Sequence, residues 1–158
     1  QETAPGDDVV LITSDAQALR FPAEAVRPQG RSASGMAGIR LTEGAELIAC
    51  CAVDGDDPEA VIVTVAGSRS ALPGTSAFTA KVTPLADIPR KGRGTAGVRS
   101  HRFLRFEDVL VLGWAGVGPV RASAASGTPL DLPEDIGKRD ASGSPLTGPV
   151  ASVGGPPR

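Results

Sequence analysis

The sequence predicts an all-β chain of about three small antiparallel units, each of four strands, with the third unit degenerate. Three observations carry that reading. Glycine at 20 and proline at 14 in 158 residues suit many short strands joined by frequent turns. Strand-length apolar runs alternate with turn signals along the whole length. One short pattern is also written three times, as RSASG from Arg31 to Gly35, RGTAG from Arg93 to Gly97 and RDASG from Arg139 to Gly143. The first two copies stand 62 positions apart in matching frames, each preceded by a glycine (Gly30, Gly92) and followed by an acid (Glu46, Asp108) and an apolar run. A repeat of this length signals radially or sequentially arranged supersecondary units.

Each element follows in order. Val9 to Thr13 reads as a strand that turns at Ser14-Asp15-Ala16 and returns over Gln17 to Phe21. The one stretch arguable as a helix, Ala16 to Ala25, is interrupted by Pro22. Leu47 to Val53 is a further strand, ended by the acidic turn Asp54 to Pro58. The cycle restarts with Val61 to Val65, a turn at Ala66-Gly67 and a connection holding Pro73-Gly74. The strand Lys81 to Leu85, the second arginine–glycine pattern and the strand Val109 to Leu112 follow. The third cycle is shorter: Val120 to Ala125, a turn at Ser126-Gly127, Leu130 to Leu132, the third pattern, and Val150 to Val153. This organisation gives a tail at 1–8, one domain at 9–155 with units at about 9–53, 61–116 and 117–155, and a tail at 156–158. Phe21, Phe78, Phe103, Phe106 and Trp114 are the only aromatics, so the core must be aliphatic.

Little here suits catalysis. Adjacent Cys50 and Cys51 point to opposite faces of a strand, which argues against a disulfide between them, and two thiols do not complete a zinc site. They read as small apolar residues of a buried strand in a reduced compartment. The single histidine, His101, lies among arginines, where a surface or phosphate-facing position is expected rather than a general base. Asp54, Asp56 and Asp57 lack the spaced glutamate of a calcium loop and read as a turn. Gly92 to Gly97 fits the GxGxxG pattern, but Pro89-Arg90-Lys91 precedes it and Val98-Arg99-Ser100-His101 follows, where a strand and a helix would be required. No run of 18 apolar residues spans a membrane, and the polar, acidic start without methionine reads as a segment of a longer polypeptide.

Net charge is −2, yet the charges are segregated. Arg90, Lys91, Arg93, Arg99, Arg102 and Arg105 lie between Asp87 and Glu107 with no acid among them, and Arg20, Arg27, Arg31 and Arg40 face only Glu24 between Asp15 and Glu43. Acids gather instead at 54–59 and 131–135. Basic charge recurring at one phase of a repeat is the footprint of a polyanion-binding face. The predicted contacts are Arg90, Lys91, Arg93, Arg99, Arg102 and Arg105, then Arg27, Arg31 and Arg40, then Lys138 and Arg139. For Arg31, Arg93 and Arg139 a second reading stands beside this one, in which the arginine hydrogen-bonds carbonyls of a neighbouring unit. Reversing Arg90, Lys91 and Arg93 to glutamate is expected to abolish binding and leave the fold intact. The competing reading is a protein-binding scaffold that docks partners on its acidic edges.

VLITSDAQALRF followed by RSASGMAGIRL, and KVTPLADIPRKGRGTAGV over Lys81 to Val98, resemble the blade repeat of the C-terminal domain of bacterial type IIA topoisomerase A subunits. KGRGTAGVRSHRFLRFEDVLVLGWAG and GTPLDLPE look most like the topoisomerase IV-like or gyrase A-like subunits of high-GC Gram-positive bacteria. The resemblance covers most of Val9 to Gly155 and is weakest over the third cycle. It implies a β-pinwheel, a propeller-like ring or spiral of blades whose rim binds and bends double-stranded DNA. The implied partners besides DNA are the rest of the A subunit, together with the B subunit, in the cytoplasm and at the nucleoid. It also implies that the nucleophilic tyrosine, ATP and Mg²⁺ of the parent enzyme belong elsewhere; this chain has no tyrosine. No cofactor is expected in this domain, and the segment is expected to be monomeric. The QRRGGKG box of gyrase is absent, with Arg90-Lys91-Gly92-Arg93-Gly94 only basic and glycine-rich, which favours the topoisomerase IV-like form over a supercoiling gyrase.

Overall fold

Short apolar runs set the strands of the computed structural model, which describes residues 3–71 and 78–156. The expected Pro73-Gly74 connection lies outside the described residues. The first sheet combines β1 (Asp7–Thr13), β2 (Gln17–Pro22) and β3 (Leu47–Asp54), with β1 in the middle. The second repeats the plan with β4 (Ala60–Gly67), β5 (Thr79–Pro84) and β7 (Val109–Val117). The third uses the shorter β8 (Arg121–Ser123), β9 (Pro129–Leu130) and β11 (Ser152–Gly154). Short 3₁₀ turns follow β2 at Ala23–Ala25 and β5 at Leu85–Asp87.

The fourth strand of each full sheet comes from the next repeat. Val98–Arg99 (β6) pairs antiparallel with Ala18 and Gln17 of the first sheet, and Ser144–Pro145 (β10) pairs with Ala80 and Thr79 of the second. Both strands begin one residue after the last glycine of an arginine–glycine pattern. The same bonds recur at both junctions. Ser100 N–H donates to Ala16 O at 2.8 Å and Leu146 N–H to Phe78 O at 3.0 Å; Lys91 N–H donates to Arg20 O at 2.8 Å and Gly137 N–H to Val82 O at 2.9 Å. The pattern read as a turn thus leads into a strand-exchange joint: the sheets of the units at 9–53 and 61–116 are each completed by a strand of the next unit, while 117–155 lends β10 and keeps β8, β9 and β11 as its own sheet.

The two ends of the array differ. The first pattern is held on one side by the second, through Arg40 N–H to Thr95 O at 3.1 Å and Gly94 N–H to Gly38 O at 2.7 Å. Its other side, which in later copies meets β2 or β5, pairs with no strand among the described residues. At the far end β9 takes no fourth strand among those residues. Ala124 N–H donates to Thr128 O and Ala122 pairs with Leu130, so ladder alternation turns the backbone of Pro129 outward. A residue without an N–H thus sits on the open edge, a device that blocks further pairing.

Val10, Ile12 and Val53 of the first sheet pack with Ile62, Leu110 and Ala115 of the second in one buried cluster, while the third sheet contributes only the buried Ala122 among the apolar core residues described. Three expectations need correcting. Asp7 and Asp8 are not tail but buried parts of β1, because Arg20 and Arg90 neutralise Asp8. β4 runs through Ala66-Gly67 rather than turning there, since β7 supplies its pairing partners. Cys50 is exposed while Cys51 is buried, its Sγ accepting the Ala115 N–H at 3.3 Å, as alternation along β3 requires.

Candidate nucleic-acid interface

Several of the predicted cations are engaged within the protein. Arg93 donates from Nη1 to Ala37 O at 2.5 Å and from Nε to Ala25 O at 3.1 Å. Arg139, at the same place in the third pattern, donates from Nη1 to Arg99 O at 3.2 Å. Ala37 and Arg99 are themselves repeat equivalents, so both arginines tie one pattern to the preceding one. Arg90 is likewise structural: its Nε contacts Asp8 at 2.9 Å and its Nη2 contacts Asp56 at 2.9 Å. Its bond to Asp8 holds the guanidinium firmly charged. Reversing Arg90 and Arg93 would therefore disturb the fold, because each anchors a joint between repeats.

Two further staples escaped the sequence reading. Arg20 is buried, donating to Asp8 Oδ2 at 2.5 Å, Gly55 O at 2.6 Å and Leu85 O at 3.0 Å. Lys81 is buried too, and its ammonium donates to the carbonyl of Lys138, just before the third pattern, and to those of Arg139 and Ala141 within it. Burial pushes its pKa down to about 8. The signal for both is a cation inside an apolar strand, in Ala18-Leu19-Arg20-Phe21 and Ala80-Lys81-Val82. Such a position has to find acceptors once the strand is covered.

His101 is also internal, against the surface position expected of it. It is 1% exposed because β10 and its glycine close over it. Nε2 accepts the Gly143 N–H at 3.1 Å, so the proton of the neutral ring is on Nδ1, 2.9 Å from the Thr64 hydroxyl. Burial, reinforced by the charge of Lys81, lowers its pKa to about 4. The acidic turn is structural as expected: Asp54 accepts the Asp56 N–H, Asp57 accepts the Glu59 N–H, and Asp56 pairs with Arg90.

Among the described residues, the side chains of Arg27, Arg31, Arg40, Arg99, Arg102 and Lys138 are exposed and make no ion pair. The Lys91 ammonium donates only to the nearby Ala96 O, and the Arg105 guanidinium lies 5.7 Å over the Phe106 ring. Arg40 and Arg102 form the clearest set. Each is fixed at its backbone to the next pattern, at Thr95 O (3.1 Å) and Ala141 O (3.0 Å), and each leaves its guanidinium in solvent. Two cations 62 residues apart in sequence thus occupy one phase of the array.

A family model described as DNA gyrase C-terminal domain, beta-propeller, matches residues 7–51 and 79–100, which take in β1, β2 and part of β3, then β5 of the second sheet and the joint that completes the first. Topoisomerase subunit TopoM of Mycolicibacterium smegmatis is 36% identical over 106 residues, 67% of this chain and 14% of that protein. The chain belongs to the gyrase A-like C-terminal β-propeller family. The gyrase A protein of Deinococcus deserti is 38% identical over 94 residues, 58% of this chain and 10% of its own length. The gyrase-type domain thus spans a small fraction of the relatives it matches. A crystal structure of the C-terminal domain of DNA topoisomerase IV shares the fold with a TM-score of 0.68 at 18% identity, covering 94% of this chain and 46% of that one. The β-pinwheel implied by the resemblance is the observed architecture, with two complete blades and a reduced third.

Proposed function

We propose that this gyrase A-like C-terminal domain is a non-catalytic guide for duplex DNA within the A subunit of a type IIA topoisomerase. The carrying observation is the pair Arg40 and Arg102, braced at the backbone by the following repeat and free at the guanidinium. Arginine forks match phosphate oxygens, and contacts to phosphate position a duplex without reading its sequence. Arg99, Arg105, Lys91, Arg27, Arg31 and Lys138 extend the set, whereas Arg90, Arg93 and Arg139 hold the blades in register and act on DNA only by keeping the rim in shape. A rim of such contacts offsets a bending cost on the order of 1–6 kcal/mol. Strand cleavage, with its tyrosine, ATP and Mg²⁺, belongs to other parts of the parent enzyme and its B subunit.

The test is binding of a random-sequence duplex across a salt series. With roughly five phosphates engaged, log K should fall against log salt with a slope of about −4 to −5. A flat salt response, or dependence on one particular sequence, would sink the reading. The largely apolar groove of about 720 Å³ between the second and third blades, whose charged lining is Glu59, Asp131 and Glu134 with Arg121, is the observation that favours a protein-docking role instead. DNA affinity that ignores Arg40 and Arg102 would leave that role standing.

A further inference from the structure

We propose that Phe106 is a wedge that enters the base stack of bound duplex DNA and kinks it between the phosphates held by Arg102 and Arg105. The proposal rests on the DNA-guiding reading and adds to it a specific bending element.

Phe106 is 82% exposed, against 63% for Ile136 and 48% for Leu47, the next most exposed large apolar residues described. Its support is stiff. Leu104 to Glu107 form a turn closed by Glu107 N–H to Leu104 O at 3.0 Å. The Glu107 carboxylate locks that turn, with Oε2 accepting the Leu104 N–H at 2.7 Å and Oε1 accepting the Thr79 hydroxyl from β5. Arg102, just before the turn, is tied at its backbone to Ala141 O. A ring presented on such a support loses little freedom when it is inserted.

The turn itself does not call for an aromatic residue. In the first repeat the equivalent residues, Thr42 to Ala45, close the same bond, Ala45 N–H to Thr42 O at 3.1 Å, with Glu43 and Gly44 at the tip. The second repeat replaces that acid and glycine with Arg105 and Phe106 on an equivalent hydrogen bond. The ring is therefore displayed for a reason other than turn geometry, and its neighbours identify the partner. Arg105 stacks 5.7 Å over the ring, and Arg102 is exposed without an ion pair among the described residues. An apolar side chain flanked by cations matches a base step flanked by phosphates, the arrangement by which architectural proteins kink DNA.

The experiment uses a duplex of about 30 base pairs carrying a donor–acceptor pair at its ends and 2-aminopurine near its centre. The chain, Phe106→Ala and Phe106→Trp are compared at equal saturation. The wild type and Phe106→Trp should shorten the end-to-end distance and raise 2-aminopurine emission. Phe106→Ala should lose both signals while its affinity falls by about 5- to 150-fold and its salt slope is unchanged. If Phe106→Ala bends and unstacks the duplex as the wild type does, the wedge is refuted and the DNA-guiding reading survives. If the wild type fails to bind at low salt, both fall.

Discussion

Gly97 lies so close to Ala18 that a β-carbon added to it would fall 2.6 Å from the Ala18 carbonyl oxygen. Gly143 stands in the same relation to Ala80, where the distance would be 2.9 Å, whereas a β-carbon on Gly35 would meet nothing within 4 Å. The last glycine of the pattern thus lets an exchanged strand approach the backbone that receives it. Gly97→Ala and Gly143→Ala should each cost about 2–3 kcal/mol by forcing the joint apart. Gly35→Ala should cost only about 1 kcal/mol, from its φ of +82°. Urea unfolding of the three variants checks this, and equal losses would refute it.

Asp8 gathers Arg20 and Arg90 at one buried carboxylate. Asp8→Ala would leave the Arg20 charge buried without its anion, a loss of about 3–5 kcal/mol. Asp56 also touches Arg90, but its side chain is 79% exposed. Asp56→Ala should change stability by less than about 1 kcal/mol. Thermal unfolding in parallel decides whether the buried member of the pair carries the joint.

His101 should give the fold an acid-sensitive step. Its folded pKa of about 4 lies below the ordinary histidine value of 6.5, so between those values the unfolded chain binds the proton and the folded chain does not. The associated stability is fully present above 6.5, declines as pH falls toward 4, and is on the order of 3 kcal/mol. Protonation of Nε2 also removes the acceptor of the Gly143 N–H. The Gly143 amide resonance of the folded chain should therefore stay in place through that decline and shift only as pH falls through about 4, and an amide that already moves near 6.5 would contradict the assignment.

Charge reversals should separate the two classes of arginine. Arg102→Glu and Arg40→Glu should weaken duplex binding in every sequence, flatten the salt slope by about 1 to 2 each, and leave the unfolding midpoint in place. Arg93→Glu should lower the midpoint, because it removes donors to Ala25 O and Ala37 O. Unfolding curves and salt titrations on the same samples test both halves, and an Arg93→Glu chain as stable as the wild type would overturn the division.

The apolar runs of Val9 to Ile12, Leu47 to Val53 and Val61 to Val65, the acidic turn after Val53 and the 62-residue phase were enough to read an all-β repeat array from the sequence. The thrice-written arginine–glycine pattern located the joints between units. Its meaning was not legible there. β6 and β10 are two residues long, too short for any periodicity, and Ser100 reaches Ala16 across 84 positions. Which cation is free was equally hidden, because the partners of Arg90 and Arg93 are a carboxylate 82 residues away and carbonyls 68 and 56 residues away. Composition and local pattern determine what each segment can do on its own. Tertiary structure alone decided which backbone edge received each strand and which arginine was left facing solvent, because hydrogen bonds and ion pairs depend on distances that only the folded chain brings within reach.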